Sequence, residues 1–174
     1  RAAIADAAQG VPVMFGINAR VGDTYRNSLA VLGAQGELID TYHKHHLVPF
    51  GEYVPLGDMM ASLGIRGMAA RDGGGFGAGE GARLLEIPGI GQVLPLICYE
   101  LIFPRHLRAT QRPDLIVQIT NDAWFGRGVG PKQHLAQARL RAIERGLPMV
   151  RVANTGISAM IDGHGRITAQ LDLN

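Results

Sequence analysis

The side chains of this 174-residue chain whose types and spacing could do chemistry are one thiol, one lysine and a few carboxylates. Cys98, the single cysteine, ends the apolar run Gln92 to Ile97, and Tyr99-Glu100 turn the chain before Phe103-Pro104 opens a helix. A strand-to-helix turn is a good seat for a nucleophile. It lifts the side chain off the sheet beside a helix N-terminus, whose positive dipole end favours thiolate. A lone cysteine in an apolar run is equally at home as a small core hydrophobe. Lys44 lies within Tyr42-His43-Lys44-His45-His46, and on a strand it would share a face with Tyr42 and His46. An ammonium held there could stabilise a thiolate and the oxyanion of a tetrahedral intermediate, or Lys44 is a solvated edge lysine. Glu52 sits in the stiff segment Val48-Pro49-Phe50-Gly51-Glu52-Tyr53-Val54-Pro55, where it could orient Lys44 through an ion pair or stand as an ordinary loop acid. Asn121-Asp122-Ala123-Trp124-Phe125-Gly126 follows a strong strand, where open α/β sheets place ligand-contacting loops. The alternative there is a turn capped by Asn121 with Trp124 packed on the core.

Other chemistries fail on residue type. One cysteine excludes an internal disulfide framework and a multi-thiolate zinc site, and His43 with His45 lack a third metal ligand at workable spacing. No G-x-S-x-G elbow, Walker-type phosphate loop or dinucleotide fingerprint is present. Six glycines between Gly73 and Gly81 read as a flexible lid and not as a phosphate cradle. Seventeen Lys+Arg against fifteen Asp+Glu give +2 without a run of five like charges, a weak nucleic-acid footprint. Hydrophobic residues at 47% and charged residues at 18% are the balance of a globular core. Uncharged stretches such as Ile87 to Tyr99 fall short of the roughly 18 apolar residues a spanning helix needs.

The elements that must position these residues follow from periodicity and punctuation. The spacing predicts an alanine-rich helix tail over Arg1 to Gln9, stopped by Gly10, then a buried strand over Val11 to Ile17. Asn27 to Leu32 and Glu37 to His43 flank Gly33-Ala34-Gln35-Gly36 as a hairpin. Leu47 to Glu80 has no sustained period beyond a short helical turn at Asp58 to Leu63, the length of a lid or binding loop. Strands are expected at Arg83 to Ile87, Gln92 to Ile97 and Asp114 to Thr120, with a helix over Pro104 to Gln111. The best helix runs from Pro131 to Gly146, with Leu135, Ala138, Ala142 and Ile143 along one face. Met149 to Ala153, Ile157 to Ile161 and Arg166 to Leu171 close the chain as strands, the last two joined by Asp162-Gly163-His164-Gly165. Strands alternating with helices, with hairpins intruding, predict a mixed-sheet α/β domain. The chain opens at Arg1 without an initiator Met and ends within a strand pattern, so the expectation is one partial domain over 1–174, cut at both ends.

Taken together, these segments resemble the nitrilase superfamily of carbon–nitrogen hydrolases, and within it the apolipoprotein N-acyltransferase family. The matching residues are Asn27-Ser28 with Gly36, Tyr42-x-Lys44-x-His46 running on through Leu47 to Pro55, Ile97-Cys98-Tyr99-Glu100-x-x-Phe103-Pro104, Asn121 to Gly126, Gln133-His134, Arg141-Ala142-Ile143-Glu144 and Asn154-Thr155-Gly156-Ile157-Ser158. Lys-x-His-Leu and Cys-Tyr-Glu are features of the superfamily, whereas the His46 to Pro55 and Asn121 to Gly126 blocks are specific to the acyltransferases. The resemblance implies an α-β-β-α sandwich, incomplete here, with Cys98 as nucleophile, Lys44 as catalytic lysine, Glu52 as the supporting acid, and Tyr99 and Glu100 flanking the thiol. It further implies a general-base glutamate on a strand upstream of Arg1 and membrane-spanning helices outside this sequence. The implied reaction is ping-pong acyl transfer without cofactor or metal, from a phospholipid through a Cys98 thioester to the N-terminal amine of a diacylglyceryl-cysteine lipoprotein. The implied setting is the bacterial inner membrane, with the catalytic domain facing the periplasm. Trp124, Met68 and Phe76 are then expected to bind substrate or form an apolar lid, with Met59, Met60, Leu63 and Ile65. A soluble amidase or nitrilase of the same superfamily and a non-catalytic binding module with a buried Cys98 are the competing readings.

Overall fold

The structure, a computed structural model, describes residues 2–56, 62, 75–107 and 111–172. It divides into two units, Arg1–Gly81 and Ala82–Asn174.

The first unit opens with helix α1 (Ala2–Ala8), which ends as Gln9 and Gly10 take positive φ, the glycine stop expected there. Three antiparallel strands follow, β1 (Val13–Val21), β2 (Thr24–Leu32) and β3 (Leu38–His43), in the order β1-β2-β3. The β2–β3 hairpin is the expected one. The β1–β2 hairpin extends both strands beyond expectation, because Gly22 at φ +59° followed by Asp23 makes a two-residue turn that keeps Val21 paired with Thr24. β1 is not the buried strand its composition suggests. It pairs only with β2, and Val11 and Ile17 are exposed. β2 carries the buried residues instead, Ser28 through Leu32 without a break. The helical turn expected at Asp58 to Leu63, and the lid residues Met59, Met60, Leu63, Ile65 and Met68, lie outside the described residues, which there include only residue 62.

The second unit is a six-stranded mixed sheet in the order β4-β5-β6-β7-β8-β9. Its strands are β4 (Leu85–Ile87), β5 (Gly91–Ile97), β6 (Leu115–Asn121), β7 (Met149–Asn154), β8 (Ser158–Ile161) and β9 (Ile167–Leu171). β5, β6 and β7 are parallel, and the flanking pairs are antiparallel. Parallel neighbours need crossovers, and helix α2 (Gly130–Arg145) supplies the one between β6 and β7. Pro131 opens α2, and Gly146 at φ +58° closes it by donating its N–H to the Ala142 and Ile143 carbonyls. Leu135, Ala138 and Ala142 join Leu94, Leu96, Ile116, Met149 and Ile161 in the core, while Ile143, expected on the same face, is half exposed. The helix expected over Pro104 to Gln111 is a single 3-10 turn, Pro104–Leu107, before residues outside the described set.

Candidate active site

In the first unit the strand ladder runs one residue past β3. Lys44 donates its N–H to the Asn27 carbonyl (2.8 Å) and receives the Gly79 N–H on its own carbonyl (2.8 Å). A backbone gripped from both sides fixes where the side chain starts. Its far end is fixed too: Lys44 is 1% exposed, and Nζ lies 2.7 Å from Glu52 Oε2. The solvated-edge alternative is therefore wrong. Glu52 is no ordinary loop acid either. Val48 accepts the N–H groups of Gly51 and Glu52, and this tight turn swings the carboxylate inward. There Oε2 also accepts the Val48 N–H (2.8 Å) and Oε1 the Asn27 side-chain amide (2.9 Å). Three donors around one carboxylate lock it as the orienting partner of Lys44.

Tyr42 and Lys44 are both buried on either side of half-buried His43, as the alternation predicts, but His46 does not continue the buried face. Tyr42 Oη meets His45 Nδ1 at 2.7 Å, and His43 Nδ1 meets the buried Ser28 hydroxyl at 2.7 Å. Phe76, expected in the lid, is tied down by its backbone. Its N–H donates to the Glu52 carbonyl (2.8 Å), and it bridges to Tyr25. His45, His46, Leu47, Tyr53, Phe76 and Ala78 line an open cleft in this unit.

In the second unit Cys98 sits at the C-terminal end of β5, as the first residue of a 3-10 turn, Cys98–Ile102. The turn expected at Tyr99-Glu100 is this five-residue 3-10 segment, and the helix expected after it is only the 3-10 turn Pro104–Leu107, so backbone geometry, more than a long helix dipole, is what the turn supplies. Cys98 has φ +50°, a left-handed conformation that costs an L-residue roughly 1–2 kcal/mol and persists only where neighbours enforce it. Those neighbours are visible. Buried Glu100 accepts the Ile97 N–H (2.8 Å) at the start of the turn. Arg141 of α2 donates to the Leu101 carbonyl (3.2 Å) and the Ile102 carbonyl (3.4 Å) at its end, while pairing with Glu144. Gln118 of β6 directs its amide nitrogen at the Cys98 carbonyl, 3.5 Å away. Tyr99 stacks edge-on against Phe103, with ring centroids 4.9 Å apart.

Behind the turn lies a buried polar cluster of Gln118, Asp122, His134 and Arg151. Asp122 Oδ1 accepts from His134 Nδ1 (2.9 Å) and the Thr120 hydroxyl (3.0 Å), and Oδ2 accepts from Arg151 Nη2 (2.5 Å). Burial alone would raise the Asp122 carboxyl. The His134 hydrogen bond, the Arg151 charge and the Thr120 hydroxyl outweigh it and hold the group below the usual carboxylate range. Burial likewise works against the Arg151 charge, bringing it below the usual guanidinium range, while Asp122 and, more weakly, Cys98 favour it. Gly156 makes room for the cluster: a Cβ there would stand 2.7 Å from the Asp122 side chain.

Asn121 caps the turn after β6 by accepting the Ala123 N–H (3.1 Å), but Trp124 does not pack on the core, being 61% exposed beside exposed Phe125 and Val129. Met68 lies outside the described residues. Gln118 and Arg151 are missing from the sequence-based expectations, although the signal was there. Each is a polar residue at the centre of an apolar strand, and the two are directly opposite each other in the β6–β7 register.

The family model for carbon–nitrogen hydrolases matches residues 2–174. An apolipoprotein N-acyltransferase of Bradyrhizobium diazoefficiens is 53% identical over 84% of the chain, and one of Rhizobium rhizogenes is 48% identical over 86%. One of Rhizobium meliloti is 43% identical over 99% of the chain. The chain spans 27%, 28% and 34% of the lengths of these three relatives. Among solved structures, a nitrilase-superfamily amidase of Nesterenkonia, as an alanine variant, superposes with a TM-score of 0.69 at 18% identity, over 99% of this chain and 62% of that one. A CN-hydrolase superfamily protein of Xanthomonas campestris, carrying an arsenic adduct in its active site, gives 0.67 at 21% identity, over 95% and 60%. These likenesses show the fold, and the α/β class read from the sequence is the fold found.

Proposed function

We propose that this chain, which belongs to the carbon–nitrogen hydrolase family, forms part of the catalytic domain of an apolipoprotein N-acyltransferase. The observation that carries the reading is the agreement of three relatives 48%, 47% and 53% identical over most of the chain, each bearing that name. The buried Lys44–Glu52 pair supports it, because an ammonium fixed by a carboxylate is an electrostatic device before it is a packing one.

In this reading Cys98 attacks the ester carbonyl of a phospholipid. Its proton passes to the family's glutamate, on a strand upstream of Arg1, since Glu52 is committed to Lys44 and Glu100 to the Ile97 N–H. The Lys44 charge stabilises the tetrahedral oxyanion. Collapse expels the lysophospholipid alcohol, which takes the proton back, and leaves a fatty-acyl thioester on Cys98. The α-amine of a diacylglyceryl-cysteine lipoprotein then attacks the thioester, and the amide forms as the thiol is released. Tyr99 flanks the thiol, and Trp124, Met68 and Phe76 contact the apolar substrate. The domain faces the periplasm from the bacterial inner membrane, held by segments outside this chain. Among the described residues no helix is long and apolar enough to cross a membrane.

The test uses the full gene product in detergent with phospholipid and a diacylated lipopeptide. A fatty-acyl adduct on the peptide containing Cys98, found by mass spectrometry and chased into lipopeptide, is the expected result. A Cys98→Ala variant that still makes triacylated product would remove the assignment.

A further inference from the structure

We propose that Gln118 is a positioning residue for Cys98, its amide locked in one orientation so that its N–H groups face the Cys98 carbonyl and hold the strained turn that presents the thiol. The proposal rests on the functional reading only in taking Cys98 as the nucleophile.

The orientation of the Gln118 amide follows from its partners. The ionised Asp122 carboxylate can only accept, so His134 Nδ1, 2.9 Å from Oδ1, carries its proton there. The Gln118 amide nitrogen stands 3.2 Å from His134 Nε2, which accepts where Nδ1 carries the ring's proton. Arg151 says the same from the other side: Nη1 is a donor, and the Gln118 atom 2.5 Å away has to be an acceptor, the amide oxygen. A flipped amide would set donor against donor at Arg151 and leave no proton between Gln118 and His134. Both constraints select the orientation that turns the amide nitrogen toward the Cys98 carbonyl, 3.5 Å away. All four side chains are buried, so water does not offer alternative partners.

The turn needs such a hold. Cys98 has φ +50°, and Glu100 and Arg141 secure the residues on either side of it, at Ile97 and at Leu101 and Ile102, but not its own carbonyl.

The test is alkylation of Cys98 by iodoacetamide in the folded full gene product, followed by peptide mass spectrometry along a pH profile. Alkylation needs no acyl donor, so it reads the proposal even if phospholipid proves the wrong substrate, which the thioester experiment decides separately. Gln118→Glu keeps an acceptor for Arg151 but turns an oxygen toward the Cys98 carbonyl and His134 Nε2. Gln118→Met removes the donor without adding charge. A misplaced thiol lowers the alkaline plateau of the profile, whereas an added charge slides only its midpoint. The expected result is a plateau lower by on the order of 100-fold in folded Gln118→Glu, and a similar loss in any folded Gln118→Met. A plateau within twofold of the parent in either variant overturns the proposal.

Discussion

Replacing Asp122 by asparagine removes one charge from the buried cluster and almost no volume, so its cost can be worked from the contacts. The carboxylate serves three donors: His134 and Thr120 at Oδ1, and Arg151 at Oδ2. An amide has one oxygen. Placed where Oδ1 stands, it keeps His134 and Thr120 but turns its NH2 against the guanidinium, and placed the other way it strands the first two. In both cases Arg151, 1% exposed, loses the charge that balances its own. Breaking a buried pair from one side costs about 3–5 kcal/mol. At 2–4 °C per kcal/mol for a domain of this size, the melting midpoint at pH 7 should fall by roughly 6–20 °C, measured by differential scanning calorimetry. The pH dependence adds a second readout. The folded-state pKa of Asp122 lies below its ordinary 3.8, so its contribution is complete above that value and is lost as pH falls through the lowered folded pKa. The gap between parent and Asp122→Asn should therefore hold from pH 7 to about 4 and narrow in stronger acid. A midpoint loss under about 2 °C at pH 7, or a gap that persists unchanged in acid, would show that the cluster is not a coupled charged unit.

Three further changes probe the rest of the site. Lys44→Met should lower turnover by on the order of 100- to 1,000-fold, as for loss of one oxyanion-stabilising group, and adding Glu52→Gln should restore thermal stability without restoring rate; recovery of both together would make the pair structural. Gly79→Ala would drive a methyl into the His43 carbonyl beside the Gly79–Lys44 hydrogen bond, so unfolding in urea should reveal a loss of about 1–3 kcal/mol together with reduced turnover. Trp124→Ala, at an exposed position, should change stability by less than about 0.5 kcal/mol while raising KM for phospholipid, and an unchanged KM would take Trp124 out of the substrate contacts.

What the sequence disclosed depended on whether the signal was local. The β2–β3 hairpin, the parallel strands ending at Ile97 and Asn121, and helix α2 between Pro131 and Gly146 are written in alternation, turn residues and caps, all readable within a few positions. Edge and centre are not local, which is why apolar Val11 and Ile17 suggested a buried strand and proved exposed. Cys98, Lys44 and Glu52 stood out by residue type and spacing. The Lys44–Glu52 contact also fell within reach of spacing, because eight residues with one proline and a tight turn leave few ways to close. Gln118 and Arg151 each showed as a polar residue within an apolar strand, but their pairing was not legible. They lie 33 positions apart, and only the β6–β7 register makes them neighbours. The turn at Cys98 was legible as a turn, but its left-handed backbone was not, since nothing in the residue type of a cysteine announces positive φ.

Two buried ion pairs among the described residues, one in each unit, share a logic that stability does not explain. Lys44–Glu52 and Arg151–Asp122 each place a charge where desolvation is costly, and well-packed apolar side chains in their stead would be neutral or stabilising. The neighbouring interior shows that such packing was open to the chain: Leu94, Leu96, Ile116 and Met149 in the second unit and Leu29, Val31 and Leu32 in the first are fully or almost fully buried and apolar. What the pairs have in common is a candidate residue within their own unit. One contains Lys44 itself, and the other stands one residue, Gln118, away from Cys98. Apolar double replacements, Lys44→Met with Glu52→Leu and Arg151→Met with Asp122→Leu, separate the two explanations. If the pairs serve positioning, both replacements should melt near the parent temperature while turnover collapses. If they serve stability, the melting midpoint should fall in step with activity, and the case for either cluster as a positioning device would go with it.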